Sequence, residues 1–258
     1  MIISFRDINM KKVQLTGLFM ILAFFFLGSA LATGKKVVIS GTEWEPYNGK
    51  DLLNQGFYTE ISKTAFESLG YEVKIVLQPW KRVFEKTKQG EFDALMGASY
   101  TKERTDFFAY PDYAWENKVH FFARAGHSFK YESVESLCPS KLGILRGSFY
   151  VKIFGKYPCL KQDLASSVKI NINKLIAGRT DLLIDSADSF NFILNKYFKN
   201  DTDKVTVIQP PYQIDKIYTV FSKKNSEHKK LMADFDRGIK LIIKNGTYDQ
   251  ILKKHDMM

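Results

Sequence analysis

Short apolar runs alternate with helix-spaced segments through the chain from about residue 36, and they do so in two successive series. A strand that feeds a helix which packs back on the sheet brings the next strand in parallel, so this order points to α/β units around a mostly parallel sheet. The first series predicts a strand over Lys36–Ser40, a helix over Gly56–Leu69, a strand over Glu72–Leu77, a helix over Trp80–Lys88 and a strand over Ala94–Gly97. After Pro111 the chain becomes extended, with Val119–Ala123 a strong strand. The second series predicts a strand over Leu142–Leu145 that turns through Arg146-Gly147 into a helix, and a strand over Val168–Asn171 with a short helix ending near Gly178. A strand over Leu182–Ile184, a helix over Ala187–Phe198, a strand over Val205–Ile208 and extended Ile217–Phe221 complete it. Leu231, Phe235, Ile239, Ile242 and Ile243 then recur at helical spacing before an Asn245-Gly246 stop. The chain of 258 residues, 45% hydrophobic and 14% aromatic, holds enough apolar material for two cores. Two α/β lobes are expected, with a ligand cleft where strand C-termini converge.

Residues 1–32 stand outside that pattern. Arg6, Lys11 and Lys12 precede an uncharged apolar run from Val13 to Leu27, and Gly28-Ser29-Ala30-Leu31-Ala32 follows. A basic segment, an apolar stretch and a small-x-small site form a secretory signal peptide, with cleavage expected after Ala32. Three basic residues and one acidic residue fall in that segment, which leaves +8 of the formal +10 on the remainder. The Lys and Arg residues are scattered in pairs such as Lys223-Lys224, with no long basic run, so nucleic-acid binding is not expected. Cys138 and Cys159 are the two cysteines. In an oxidising compartment such a pair is most simply a disulfide, contributing about 3 kcal/mol in the chain-entropy model. His120, His127, His228 and His255 are dispersed, so neither a metal site nor a cofactor is expected.

Several fragments in order carry a specific resemblance: Trp44-Glu45-Pro46-Tyr47, Gly90-Glu91-Phe92-Asp93-Ala94, Thr101-Lys102-Glu103-Arg104, Phe107-Phe108-Ala109-Tyr110-Pro111, and the terminal Asn245-Gly246-Thr247-Tyr248. The chain resembles the bacterial extracellular solute-binding proteins of family 3, the periplasmic receptors that deliver polar amino acids to ABC importers. The resemblance implies a two-lobed periplasmic-binding-protein-like fold of type II with the cleft between the lobes. It implies a discontinuous first lobe, residues 33–123 with 220–258, around a second lobe of residues 124–219. It also implies a monomer that captures a small polar solute and hands it to the membrane subunits of an importer, without enzymatic activity.

By the same resemblance Arg104 would clamp a solute carboxylate, for which a planar guanidinium fork suits better than Lys. Gly97 and Ser99 would offer a backbone carbonyl and a hydroxyl to an ammonium group, while as a plain turn Ser99 needs no ligand. Trp44 and Tyr47 would present an aromatic wall, with core packing as the competing role. Ser148, after Arg146-Gly147, would meet the carboxylate at a helix start or simply cap that helix. Thr101 reads as a cap and Pro79-Trp80 as a staple at a helix start.

One segment departs from the family. Amino-acid binders usually carry an Asp five residues after the position of Asp181, and here that position is Ser186. Asp185 stands one residue earlier, where strand alternation can turn it from the cleft, and either Asp185 or Asp188 could replace the missing acid. Two rivals share the fold: a periplasmic dehydratase of the cyclohexadienyl type, for which Glu60, Asp185 or Asp188 would have to serve as the acid, and a sensor reporting solute occupancy to a membrane receptor.

Overall fold

The computed structural model describes residues 34–127 and 129–257. The signal segment expected over residues 1–32 lies outside the described residues. Strand β1 (Lys35–Gly41), helix α1 (Phe57–Glu67), β2 (Tyr71–Leu77), α2 (Trp80–Gln89), β3 (Ala94–Ser99) and the short β4 (Phe108–Ala109) form the first series. The long β5 (Trp115–Arg124) leads to β6 (Ser140–Leu145), α3 (Tyr150–Phe154), β7 (Leu160–Ala165), α4 (Val168–Ile176), β8 (Leu182–Ser186), α5 (Ala187–Tyr197) and β9 (Val205–Val207). The equally long β10 (Gln213–Ser222) is followed by α6 (His228–Lys244) and α7 (Thr247–Lys254).

All strands join one sheet in the order β2-β1-β3-β10-β5-β8-β6-β7, with β4 on β10 and β9 on β5. The outer pairs β1/β3, β6/β7 and β6/β8 are parallel, whereas β10 and β5 run antiparallel to each other and to their other partners. The sheet is therefore parallel within each series and antiparallel where the series meet, because two single extended strands carry the chain across. Apolar packing divides on either side of that junction. Ile39, Phe57, Phe66, Phe221 and Phe235 belong to one buried cluster, and Val119, Phe121, Ile144, Phe154 and Ile184 to another.

One stretch differs from the sequence expectation. Val168–Asn171 is the start of α4, and the strand lies earlier at Leu160–Ala165. Val168, Ile170 and Ile172 look like alternation, but Ser167 accepts a hydrogen bond from the Ile170 amide at 3.3 Å and caps a helix whose buried face is Val168, Ile172 and Leu175. In β7 the polar run Lys161-Gln162-Asp163 masks the strand, which pairs with β6 residue for residue. Cys138 and Cys159 form a disulfide with an S–S distance of 2.05 Å, linking the approach to β6 with the start of β7.

Two close approaches set the first lobe. Gly238 of α6 lies so near the Ala65 carbonyl of α1 that a Cβ would stand 2.1 Å from it, so only glycine lets these helices touch. At the start of α1 the amides of Phe57, Tyr58 and Thr59 have no intrahelical partner. They donate to the Pro46 and Tyr47 carbonyls at 3.1 to 3.3 Å, which fastens the Trp44–Asn48 turn to the helix.

Candidate ligand-binding site

A cavity of about 220 Å³ opens between the two apolar centres. Trp44, Gly97 and Ser99 line it from the first series, Ser148, Tyr150 and Asp185 from the second, and Asn117 and Asp215 from the two crossing strands. A larger hollow of about 620 Å³ lies between α5 and the chain end, lined by residues such as Asn191, Lys196, His255 and Met257. It takes its walls largely from exposed side chains of α5 and the C-terminal segment, and it draws nothing from the strand ends of the first series.

Gly97 reaches the cavity through a bulge. Ala98 pairs with Tyr218 and Leu95 with Val220, so Met96 and Gly97 together oppose Thr219 alone. The extra residue requires φ of +80° at Gly97, which glycine adopts without strain, and such a bulge re-aims the residues after it. Ser99 follows, braced from below. Arg104 Nη1 donates to the Ser99 carbonyl at 2.8 Å and to Ser99 Oγ at 2.9 Å, and the Tyr110 hydroxyl donates to the same carbonyl at 3.2 Å. The guanidinium lies 5.7 Å from the Trp80 ring and 5.6 Å from the Phe84 ring. Arg104 thus stands immediately behind the lining, bonded to a lining residue, and Trp80 packs against Arg104. Thr101 Oγ1 accepts from the Arg104 amide at 3.3 Å, holding the turn that carries the guanidinium.

The structure separates Trp44 from Tyr47. Trp44 faces the cavity and its turn is closed by mutual hydrogen bonds with Asn48, at 2.8 and 3.0 Å. Tyr47 lies behind it, ring centroids 4.2 Å apart, and is fully buried. Its hydroxyl reaches Asp188 Oδ2 at 2.8 Å, Ser186 Oγ at 2.9 Å and Asn117 Oδ1 at 3.2 Å. Burial and the Asp188 charge raise the phenol above its ordinary range, so it keeps its proton. Asp188 also accepts from Trp115 Nε1 at 3.0 Å. The residues named for an aromatic wall therefore divide into a cavity face, Trp44, and a polar tie to the second series, Tyr47. Ser186, at the position of the family's acid, is part of that tie as well as of the cavity lining.

On the opposite side Ser148 Oγ is buried without a hydrogen-bond partner among the described residues. Asp185 lines the cavity, and its Oδ1 accepts from the Ser186 amide at 2.7 Å. Burial pushes its carboxyl up to about 7, only partly offset by that hydrogen bond. Glu60 lies away from the cavity, bonded to Lys254 and to His255 Nε2. Sequence reasoning missed Asn117 and Asp215. Gln213, Asp215 and Ile217 alternate on one strand face, but only the pairing of Asp215 with Asn117 shows that this face meets the cavity. No cluster of potential metal ligands occurs among the described residues.

The model of bacterial extracellular solute-binding proteins, family 3, matches residues 37–257, almost everything after the leader-like segment. The chain belongs to that family. Its members are extracellular or periplasmic and mostly non-enzymatic binders. No curated protein matches the chain in sequence. Among solved structures, an amino acid ABC transporter substrate-binding protein from Streptococcus pneumoniae bound to L-arginine is 20% identical, with 85% of this chain and 94% of that one covered and a TM-score of 0.65. The GluR0 ligand-binding core from Nostoc punctiforme in complex with L-glutamate is 14% identical, with 86% and 100% covered and a TM-score of 0.69. A histidine kinase sensor domain is 20% identical, with 86% and 96% covered and a TM-score of 0.68. At these identities the likeness establishes the fold, a two-lobed periplasmic-binding-protein-like architecture of type II.

Proposed function

We propose that this family 3 protein is a periplasmic receptor that binds an amino acid or a related carboxylate non-covalently and delivers it, as a monomer, to the membrane subunits of an ABC importer. The reading rests on one observation: backbone and side-chain polar groups from both lobes converge on a single cavity beside a flat aromatic face. Arg104, directly behind Ser99, supplies the positive charge for a carboxylate, and Asp185 the negative charge for an ammonium. Ser99, Ser148 and the Gly97 carbonyl complete the polar set, and Trp44 covers apolar carbons. Neighbouring structures hold L-arginine and L-glutamate, which favours the amino-acid class. Export would remove residues 1–32. We place the lobe crossings within β5 and β10, near Asn117–Val119 and Gln213–Ile217, a few residues from the 123/124 and 219/220 boundaries that the resemblance implies, since Val119 packs with the cluster of the second series and Ile217 with that of the first. Closure about two such strands is a hinge motion of the kind that buries ligands in this architecture.

A thermal-shift panel of the common amino acids beside their deaminated analogues tests the reading. A ligand at 100 times its dissociation constant should stabilise the protein by about 2.7 kcal/mol. Silence across all amino acids with a response among the deaminated acids would remove the ammonium from the ligand, and silence throughout would remove the amino-acid receptor.

A further inference from the structure

Asp215 has no role in that reading, yet it lines the cavity. It lies on β10, in register with Asn117 of β5, so it is carried by the junction between the lobes, whereas Asp185 lies near the end of β8. Gln213 Nε2 donates to Asp215 Oδ2 at 2.5 Å, which fixes the carboxylate's orientation without neutralising it. None of the described residues that line the cavity is Lys, Arg or His, and neither Asp185 nor Asp215 forms a salt bridge with a described residue. Tyr150 lines the same cavity, where burial, then the charges of Asp215 and Asp185, raise its phenol and keep it neutral. A chamber walled by two acids and aromatic rings concentrates positive charge, since low-dielectric walls focus the field of one sign. A neutral amino acid, zwitterionic at its α-carbon, would satisfy Asp185 and leave Asp215 enclosed without a countercharge, an unfavourable arrangement.

We infer that the solute carries a second cationic group, an ammonium or guanidinium at the end distal to its α-carbon, and that Asp215 is the residue that selects it. This inference rests on the amino-acid reading of the same cavity. Tyr150 and the neighbouring exposed Phe149 add aromatic faces for such a cation.

Calorimetric titration of ligand-free protein with L-arginine, L-lysine, L-citrulline, L-glutamine and L-glutamate provides the test. Citrulline matches arginine in length but is neutral at the distal end. At least one of arginine and lysine is expected to bind about 100-fold or more tightly than citrulline and glutamine. In Asp215→Asn that preference should shrink to within about threefold, with neutral analogues no weaker than in wild type, while Asp215→Glu retains the preference. Neutral or acidic amino acids binding as well as the cationic ones would overturn the role of Asp215 and leave the receptor reading standing. A preference unchanged in a folded Asp215→Asn protein, judged by circular dichroism, would do the same. Silence with all five, together with silence across the wider amino-acid panel, would overturn both.

Discussion

The two walls of the cavity are built differently. The first-lobe wall is braced: Ser99 is held by Arg104 and Tyr110, the Trp44 turn is closed on itself and fastened to the start of α1, and Gly97 sits in a bulge that the sheet fixes. Asn48 Nδ2, behind Gly97, is an exception without a partner among the described residues. The second-lobe wall is less complete. Ser148 Oγ is buried and unpartnered, Phe149 is 56% exposed, and Asp185 carries a carboxyl that burial holds near 7. The contrast teaches that the first lobe is organised in advance and the second contains groups whose partners a solute would supply. On the proposed reading a ligand would bind first where pre-organisation costs least and close the side that gains most.

Arg104→Ala strikes the braced wall and should have the largest effect. It removes the carboxylate's countercharge and frees Ser99, so calorimetry should show a loss of affinity of at least about 100-fold, several kcal/mol. Affinity within threefold of wild type would show that the brace is structural and that the carboxylate is held elsewhere.

Asp185→Asn addresses the incomplete wall. Loss of a charged hydrogen bond should weaken an ammonium ligand by about 30-fold, or about 2 kcal/mol. The sign on stability is opposite. With a folded value of about 7 against an ordinary value of about 3.9, the folded state holds more protons between those limits, so the contribution of Asp185 to stability declines as pH rises from about 4 to about 7 and is level above. The variant should lose that decline in a denaturation series. In wild type, affinity for an ammonium ligand should fall by about tenfold from pH 8 to pH 6 as the carboxyl protonates. Affinity flat across that interval would separate Asp185 from the ligand.

How much of this was legible in the sequence depends on the kind of information each residue needs. Strand and helix order could be read because buried faces repeat with period 2 or 3.6, and β1, α1, β2 and α2 fall within one or two residues of their expected bounds. β7 could not, because its polar run carries no such signature, while the β-branched start of α4 imitates one. Of the cavity-lining residues, Gly97, Ser99, Trp44 and Ser148 were named through the family resemblance that their short motifs carry, and Asp185 through the departure from it at Ser186. Tyr47 shows the limit: its turn was legible, but its hydroxyl's partners Asn117, Ser186 and Asp188 are 70 to 141 residues away. Asp215 depends in the same way on strand pairing.

Tyr47→Phe tests the tie between the walls. It leaves Ser186 and Asn117 short of a partner while Asp188 keeps Trp115, so unfolding stability should drop by about 1 to 2 kcal/mol in denaturant titration. Ligand affinity should change less than about fivefold. A neutral substitution would mean that the cluster contributes nothing to holding the lobes.

Ser148→Ala should have the smallest effect and the most informative sign. Removing a buried hydroxyl without a partner should leave the free protein as stable or up to about 1 kcal/mol more stable, yet weaken the ligand by about fivefold. A loss of stability in the free protein would show that the hydroxyl is already satisfied and that the second wall is as complete as the first.

Hydrogen–deuterium exchange, with and without the amino acid that gives the largest thermal shift, tests the contrast between the walls most directly. Strong new protection is expected over 145–150 and 184–186, beside the side chains that a solute would partner, and little change over 44–48 and 97–99. Protection confined to α5 and the chain end beside the larger hollow, or equal protection on both walls, would contradict it.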